Sequence, residues 1–202
     1  ALKDFNNAII LEPLKAEIYN NRGYLFNLQK KYSEAIADYD KSIKQNRKYS
    51  IAYINKAYTL KELGRDSEAI QVLSTAIIAN PTFAPAYLNR ALLFKEQHEN
   101  EKALADYNKG LMLEPKDVDA LLKRAAIKDE LHDEVGAIDD CTRVLNIAPD
   151  NALAYYTRAC AEWDLKQYQK IIEDCNTAII YKPKYSEAFT IRANTLDLIG
   201  HY

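Results

Sequence analysis

The histidines of this chain could act as metal ligands or as general acids or bases. The chain has three histidines, His98, His132 and His201. His98 and His132 are separated by a spacing that recurs along the chain, and both stand in polar segments that predict turns. None of the three stands at zinc-type spacing from a cysteine or from a second histidine. We therefore interpret His98 and His132 as solvated turn residues.

The three cysteines could act as nucleophiles or as metal ligands. Cys141 and Cys175 have the same separation as the two histidines and lie on apolar stripes, so we expect small buried side chains that are too distant from each other for a disulfide. Nothing beside Cys160 in the sequence would lower the pKa of its thiol. Phosphate-binding glycine loops and nucleophile-elbow motifs are absent from the sequence. The sequence thus predicts no catalytic residue, no metal site, no cofactor and no enzyme.

A column of basic residues recurs at this same spacing, and it could be an anion-binding row: Arg22, Lys56, Arg90, Arg124, Arg158 and Arg192. An acidic column accompanies it: Asp4, Asp38, Asp106, Asp140 and Asp174. The period that has Lys56 in place of arginine also has Val72 in place of aspartate, and this joint change indicates that the two columns pair. The planar fork of arginine suits a partly buried carboxylate. We expect structural ion pairs, with ligand binding as the alternative.

The elements that must position these side chains follow from the prolines. Pro81, Pro115, Pro149 and Pro183 are equally spaced, and Pro13 lies two periods before Pro81. A fixed period of this size, about 34 residues, is typical of a repeat array. We divide the chain into one array with a half repeat at 1–15, full repeats at 16–49, 50–83, 84–117, 118–151 and 152–185, and a half repeat at 186–202.

Each half of a repeat carries apolar residues at positions i, i+4 and i+7, which is one face of an amphipathic helix. The small column of the first half is Gly23, Ala57, Ala91, Ala125, Ala159 and Ala193. The large column four residues earlier is Tyr19, Tyr53, Tyr87, Leu121, Tyr155 and Phe189. Small side chains let two helices approach, and the large ones fill the space beside them. The pattern predicts an all-α fold of stacked antiparallel helix hairpins, in which the proline ends each second helix.

These columns, together with residues 87–91 and 103–107, resemble the tetratricopeptide repeat family over essentially the whole chain. Two positions depart from the pattern, since Arg47 replaces a proline and Ile171 stands in a column of small residues. The resemblance implies a right-handed α-α superhelix, or solenoid, whose first helices line a concave groove. It also implies a protein–protein interaction scaffold that binds an extended peptide or helix of a partner there. A structural spacer or self-assembling element, and the substrate-recruiting region of an enzyme, are the alternatives.

The candidate partner-binding residues lie on the first helices, opposite the core stripe. Asn21, Asn55 and Asn89 occupy one slot in three successive repeats, where carboxamides can hydrogen bond the main chain of an extended peptide. Asparagine could also simply be frequent at that slot. The other candidates are Asn20, Tyr24, Tyr58 and Lys123, with Tyr156 and Trp163 in the C-terminal half. Trp163 is the only tryptophan and could anchor a partner or pack against the next first helix.

Several partner classes are disfavoured. Some members of the family grip the acidic C-terminal tails of chaperones with a clamp of lysine, asparagine and arginine. No register of the repeats provides this clamp, since its lysine slots hold Ile54 and Leu88 and its asparagine slots hold Tyr24 and Tyr58, among others. This argues against chaperone tails. A net charge of −2 gives no electrostatic reason to expect nucleic acid. No apolar run approaches the roughly 20 residues that membrane insertion requires.

The two ends and the cysteine count give weaker expectations. The low, odd number of cysteines favours a reducing, intracellular compartment such as the cytoplasm. The chain begins inside a helical pattern and stops in the middle of a repeat, without a polar capping helix. We expect a piece of a longer protein, with an uncapped C-terminal end that could self-associate.

Overall fold

The computed structural model describes residues 1–200. All regular secondary structure in that range is α-helical. His201 and Tyr202, which include the third histidine and the end of the last predicted half repeat, lie outside the described residues. The predicted all-α fold is confirmed. The helices are α1 (Leu2–Leu11), α2 (Ala16–Leu28), α3 (Tyr32–Gln45), α4 (Ser50–Glu62), α5 (Asp66–Ala79), α6 (Ala84–Glu96), α7 (Asn100–Leu113), α8 (Val118–Glu130), α9 (Glu134–Ile147), α10 (Ala152–Asp164), α11 (Tyr168–Tyr181) and α12 (Ser186–Leu198).

The chain divides into two compact units, the first at residues 1–98 and the second from residue 99 onward. In the first unit, α2 packs on α3 and α4 packs on α5 as hairpins, while α3 and α5 each pack on the helix that follows them. In the second unit, α8 with α9 and α10 with α11 form hairpins, and α11 also packs on α12. Each unit is thus a stack of helix hairpins, and the continuity of one array from end to end stays a prediction.

The first helices begin at a constant interval, at Ala16, Ser50, Ala84, Val118, Ala152 and Ser186. These positions coincide with the starts of the repeats that the proline period defines. A step of about 34 residues is long enough for two helices of three to four turns and two short connections. The sequence period therefore corresponds to one helix–turn–helix unit.

Each first helix is followed by one residue in the left-handed backbone region, and this residue recurs with the same period. The residues and their φ angles are Lys30 58°, Gly64 69°, His98 60°, His132 60°, Lys166 56° and Gly200 76°. The turn they make lets a following N–H group bond to a carbonyl oxygen near the helix end, as Lys31 does to Phe26 at 2.9 Å. His98 and His132 are exposed turn residues, as predicted.

The tyrosine column has a second role besides filling space. The hydroxyl of Tyr19 donates to the carbonyl oxygen of Pro13 at 2.9 Å, six residues earlier. Equivalent bonds run from Tyr53 to the residue 47 carbonyl at 3.2 Å, from Tyr87 to the residue 81 carbonyl at 3.2 Å and from Tyr155 to the residue 149 carbonyl at 3.1 Å. Each bond ties a first helix to the segment that precedes it. It satisfies a carbonyl of the connection, which has no helical partner there.

The small-residue columns lie where helices come closest. Ala35, Ala69 and Ala137 are fully buried in α3, α5 and α9. Ile171 takes the same place in α11 and is also fully buried, in a cluster with Ala159 and Cys175. A Cβ on Gly23 would lie 2.8 Å from the ring of buried Tyr39, so α2 and α3 approach more closely than alanine would allow without a shift. Within residues 1–200, no helix has the length and apolar character to cross a membrane.

Candidate functional site

Three of the predicted contact residues on α2 and α4, namely Asn20, Asn21 and Asn55, belong to one network of carboxamides. Asn55 donates from Nδ2 to Asn20 Oδ1 at 2.8 Å, and Asn20 donates from Nδ2 to Asn21 Oδ1 at 3.2 Å. Asn20 is only 4% exposed, so it joins the two helices and offers almost no surface to a partner. Asn21 is exposed and Asn55 is half-buried. Some of the asparagine side chains that were predicted to bind a peptide are thus engaged in hydrogen bonds within the protein.

Tyr58 borders a cleft of about 240 Å³ between α4 and α6. The cleft is lined by apolar side chains from three helices and by a few polar ones at its edge: Ile54, Ala57, Tyr58, Leu73, Leu92 and Leu93, with Lys61, Glu62 and Asn89. Tyr58 is 56% exposed, and its counterpart Tyr24 on α2 is 51% exposed. Large exposed rings beside an apolar cleft are typical anchors for a partner.

Asn89 and Lys61 provide the polar groups beside this cleft. Asn89 uses one N–H to bond the carbonyl oxygen of Pro85 at 2.8 Å. Within the described residues, its Oδ1 atom and second N–H make no hydrogen bond and remain available. Lys61 forms an ion pair with Glu96 at 2.5 Å, and this pair joins α4 to α6. Asn89 therefore offers the cleft an uncommitted carboxamide, while Lys61 is held by its ion pair.

The predicted contact residues of the second unit make more contacts with other side chains of the protein. Lys123 forms an ion pair with Asp119 of its own helix at 2.5 Å. The ring of Tyr156 lies 5.0 Å from that of Tyr185, and burial, followed by the neighbouring Cys160, raises the pKa of the Tyr156 phenol. Trp163 packs at the edge of the Ile171 cluster, together with side chains from α11 and α12. The structure favours a packing role for Trp163, which was one of the two alternatives.

The basic and acidic columns pair inside the hairpins. Arg22 donates from Nε and Nη2 to both oxygens of Asp38 at 2.6 and 2.7 Å. The same bidentate pair joins Arg124 to Asp140 at 2.7 and 2.5 Å, and Arg158 to Asp174 at 2.6 and 2.7 Å. The predicted structural pairing is confirmed in these three hairpins. Arg90 and Asp106 lie in different units, and their pairing stays a prediction.

The guanidinium groups also reach backward by 16 residues, which sequence reasoning missed. A terminal nitrogen of Arg22, Arg90, Arg124, Arg158 and Arg192 donates to Asn6, Ser74, Asn108, Thr142 and Asn176 respectively. Lys56 follows the same rule with Asp40 at 2.6 Å, because Val72 offers no carboxylate on the other side. A column of hydrogen-bond acceptors at this offset is visible in the sequence and could have predicted the contact.

The comparisons with known proteins fit this geometry. Three profiles of the tetratricopeptide repeat match residues 16–49, 38–71 and 84–117. The chain contains tetratricopeptide repeats at these residues. The family's proteins are typically non-catalytic scaffolds for protein–protein interaction, and the helical hairpins described above have that architecture. No curated protein matches the sequence significantly.

Three solved structures share the fold, and two of them are described as tetratricopeptide repeat proteins. YrrB, described as a repeat protein with an unusual peptide-binding site, is 19% identical, with a TM-score of 0.81 over 96% of this chain and 100% of its own. MamA is 19% identical, with a TM-score of 0.74 over 85% of this chain and 94% of its own. A repeat protein from Parabacteroides merdae is 22% identical, with a TM-score of 0.77 over 92% of this chain and 74% of its own. At these identities the likeness shows the fold alone.

The cysteines of this repeat protein lie in the core or close to it. Cys141 and Cys175 are fully buried, and burial raises the pKa of each thiol to about 12. Cys160 is half-buried, and burial raises the pKa of its thiol as well. All three thiols are protonated at neutral pH, which agrees with the packing role predicted for Cys141 and Cys175 and disfavours a nucleophile at Cys160.

One group among residues 1–200 has metal-ligand character. Ligand atoms of His132, Glu134 and Asp164 all lie within 4.8 Å of one another. The imidazole of His132 is 84% exposed, and its Nδ1 atom lies 3.8 Å from Glu134 Oε1. No described observation at this exposed turn points to an ion, so we assign no metal site there.

Proposed function

We propose that this tetratricopeptide repeat protein is a scaffold that holds an extended segment of a partner protein along the first helices of its first unit. The observation that carries the proposal is the apolar cleft between α4 and α6, where exposed Tyr58 meets the uncommitted carboxamide of Asn89. One apolar side chain of the segment fits a cleft of about 240 Å³. Asn89 would bond the segment's main chain beside it.

The lining of the cleft defines the partner segment. Its walls are aliphatic, and its one close ammonium, Lys61, is already paired with Glu96. The apolar walls give a charged side chain no partner inside the cleft, and the carboxylate of Glu62 stands exposed at its edge. The free carboxamide of Asn89 suits any extended main chain. We therefore expect a leucine-like or aromatic side chain at the cleft. The description of YrrB as a repeat protein with a peptide-binding site supports a peptide as the occupant.

The test is a selection of random dodecapeptides on the immobilised chain, followed by affinity measurements on four purified variants. Tyr58→Ala and Asn89→Ala should each weaken the selected peptides about five-fold or more, because each removes a central contact. Ile78→Ala, which alters an 81% exposed side chain on the second helix α5, is the matched control and should change nothing. Tyr24→Ala maps how far the segment extends toward α2. Equal losses in Tyr58→Ala and Ile78→Ala would refute the proposal.

A further inference from the structure

A buried carboxylate in α10 is not explained by the scaffold function. Glu162 is 3% exposed, and its Oε2 atom has no hydrogen-bond partner within the described residues. The side chain lines a pocket of about 340 Å³ on the side of the second helices, between α9 and α11. The pocket residues are Ile138, Thr142, Arg158, Glu162, Lys170, Glu173 and Asp174. A buried carboxylate without a hydrogen-bond partner lowers the stability of the folded protein. Its presence therefore needs an explanation, such as a group that binds to it.

The repeats themselves show what usually occupies this slot. The equivalent positions hold Phe26, Leu60, Phe94 and Leu196, and Lys128 in the hairpin before. The ammonium of Lys128 lies 3.0 Å from the carboxylate of Asp140 and donates to the Gly136 carbonyl oxygen at 3.1 Å. Asp174 is the counterpart of Asp140, but the slot beside it holds a second carboxylate. The last full hairpin therefore has an acid where its neighbour has a cation.

The cations that line the pocket do not fill this place. Arg158 donates to both oxygens of Asp174, and its remaining terminal nitrogen bonds Thr142 at 3.3 Å. Lys170 stands at the exposed rim, and within the described residues its ammonium forms no ion pair with Glu162 within 4.0 Å. From α9 the pocket receives only uncharged Ile138 and Thr142. Among residues 1–200, the carboxylate of Glu162 thus has no ion-pair partner within 4.0 Å.

We propose that this pocket binds the side chain of a lysine from a partner protein, with its ammonium against Glu162 and its aliphatic stem along Ile138. The ammonium would take the place that the Lys128 ammonium has in the preceding hairpin. A bare divalent ion fits less well, because the carboxylates of this described pocket do not come within 4.8 Å of one another as a three-ligand group. Long lysine side chains commonly lay the stem on apolar surface and place the charge at its end. None of the residues that line this pocket lines the cleft at Tyr58.

The binding should depend on pH, because only the ionised carboxylate attracts an ammonium. Burial, followed by the charge of Asp174, raises the pKa of Glu162 to about 7, while Arg158 and Lys170 act in the opposite direction and Glu173 in the same. Below that pH the bound lysine must first displace a proton. Affinity should therefore rise by up to about ten-fold per pH unit below the pKa, and then level off.

The test uses the full chain, with Nα-acetyl-lysine amide as the probe and the norleucine analogue as its uncharged match, followed by NMR. The lysine probe should give saturable shifts in the Glu162 carboxyl carbon and in amides around the pocket, and the norleucine probe should not. Glu162→Gln, which keeps the shape, should weaken the probe about ten-fold or more, and Glu173→Gln at the rim by no more than about two-fold.

Three outcomes would overturn the proposal: equal binding of both probes, equal losses in the two glutamine variants, or an affinity that does not change between about pH 6 and pH 8. The pH series needs only the unaltered chain, so it decides even if a variant folds poorly. Tyr58→Ala should leave the lysine probe's affinity unchanged. Failure of the scaffold proposal and failure of this one are thereby distinguishable.

Discussion

Arg124 and Asp140 stand 16 residues apart and form a bidentate ion pair in which the aspartate is fully buried. The guanidinium donates to both carboxylate oxygens at 2.7 and 2.5 Å, and Lys128 adds a third cationic contact at 3.0 Å. The same offset joins Arg22 to Asp38 and Arg158 to Asp174. Because each arginine also bonds an acceptor 16 residues earlier, one side chain connects three helices.

Asp140→Ala should destabilise the second unit by about 3–5 kcal/mol, because it leaves two poorly solvated cations without their carboxylate. Arg124 and Lys128 have side chains only 11% and 14% exposed, so water cannot replace the lost partner easily. Urea unfolding monitored by the fluorescence of Trp163, the only tryptophan, measures the change.

Asp40→Ala provides the contrast in the first unit. Asp40 is also paired, with Lys56 at 2.6 Å, but its side chain is 53% exposed. The Lys56 side chain is 19% exposed, so the loss should lie near the upper end of the about 0–1 kcal/mol that solvent-exposed pairs contribute. If the two alanine variants lost equal stability, burial would not be what makes the arginine–aspartate pairs important.

Glu162 should make the chain less stable as the pH rises from about 4.5 to about 7. The carboxyl has an ordinary pKa of 4.5, and burial raises it to about 7 in the folded protein. In that window the folded state holds a proton that the unfolded state has released, so unfolding releases protons and higher pH favours it. The loss should reach up to about 3 kcal/mol at the upper end of the window.

The measurement is the difference in unfolding free energy between the unaltered chain and Glu162→Gln at several pH values. Taking the difference removes the contribution of Asp129, whose pKa burial also raises. The glutamine variant should gain relative stability as the pH rises. A difference that is constant across pH would show that Glu162 does not titrate in this window.

The fold could be predicted from the sequence because its signals repeat. Each column of small, aromatic or charged residues recurs in several repeats, so a single departure such as Ile171 does not obscure the pattern. The pairing of Arg22 with Asp38 was visible for the same reason, since Lys56 and Val72 change together.

The candidate site was harder to predict because it depends on side chains whose contacts differ from those of the equivalent residues in the other repeats. Asn20 looked like a surface residue from its helical position, but it is buried and accepts a hydrogen bond from Asn55 on the next first helix, α4. Trp163 looked equally suited to a partner or to the core, and only the neighbouring α11 and α12 decide for packing. Glu162 carried a signal that sequence reasoning passed over, namely an acid in a slot that is otherwise mostly apolar.

The left-handed turn residues give a prediction that tests the repeat geometry itself. His132 has a φ of 60° and an exposed side chain, so His132→Gly removes the clash of its Cβ with the backbone and should stabilise the chain. The gain should be about 0.5–1 kcal/mol, because the greater flexibility of unfolded glycine offsets part of it. Thermal unfolding measures the change, and His98→Gly, at the equivalent turn, should match it.

Gly64 provides the reverse substitution at the same turn position. It has a φ of 69°, and no atom beyond Gly64 and its two chain neighbours lies within 4 Å of the place that an added Cβ would take. Gly64→Ala should therefore destabilise the chain by about 1 kcal/mol through backbone strain alone. Thermal unfolding of Gly64→Ala beside His132→Gly checks the pair. Opposite signs at these equivalent turns are the required result, and two changes of the same sign would contradict a shared left-handed turn.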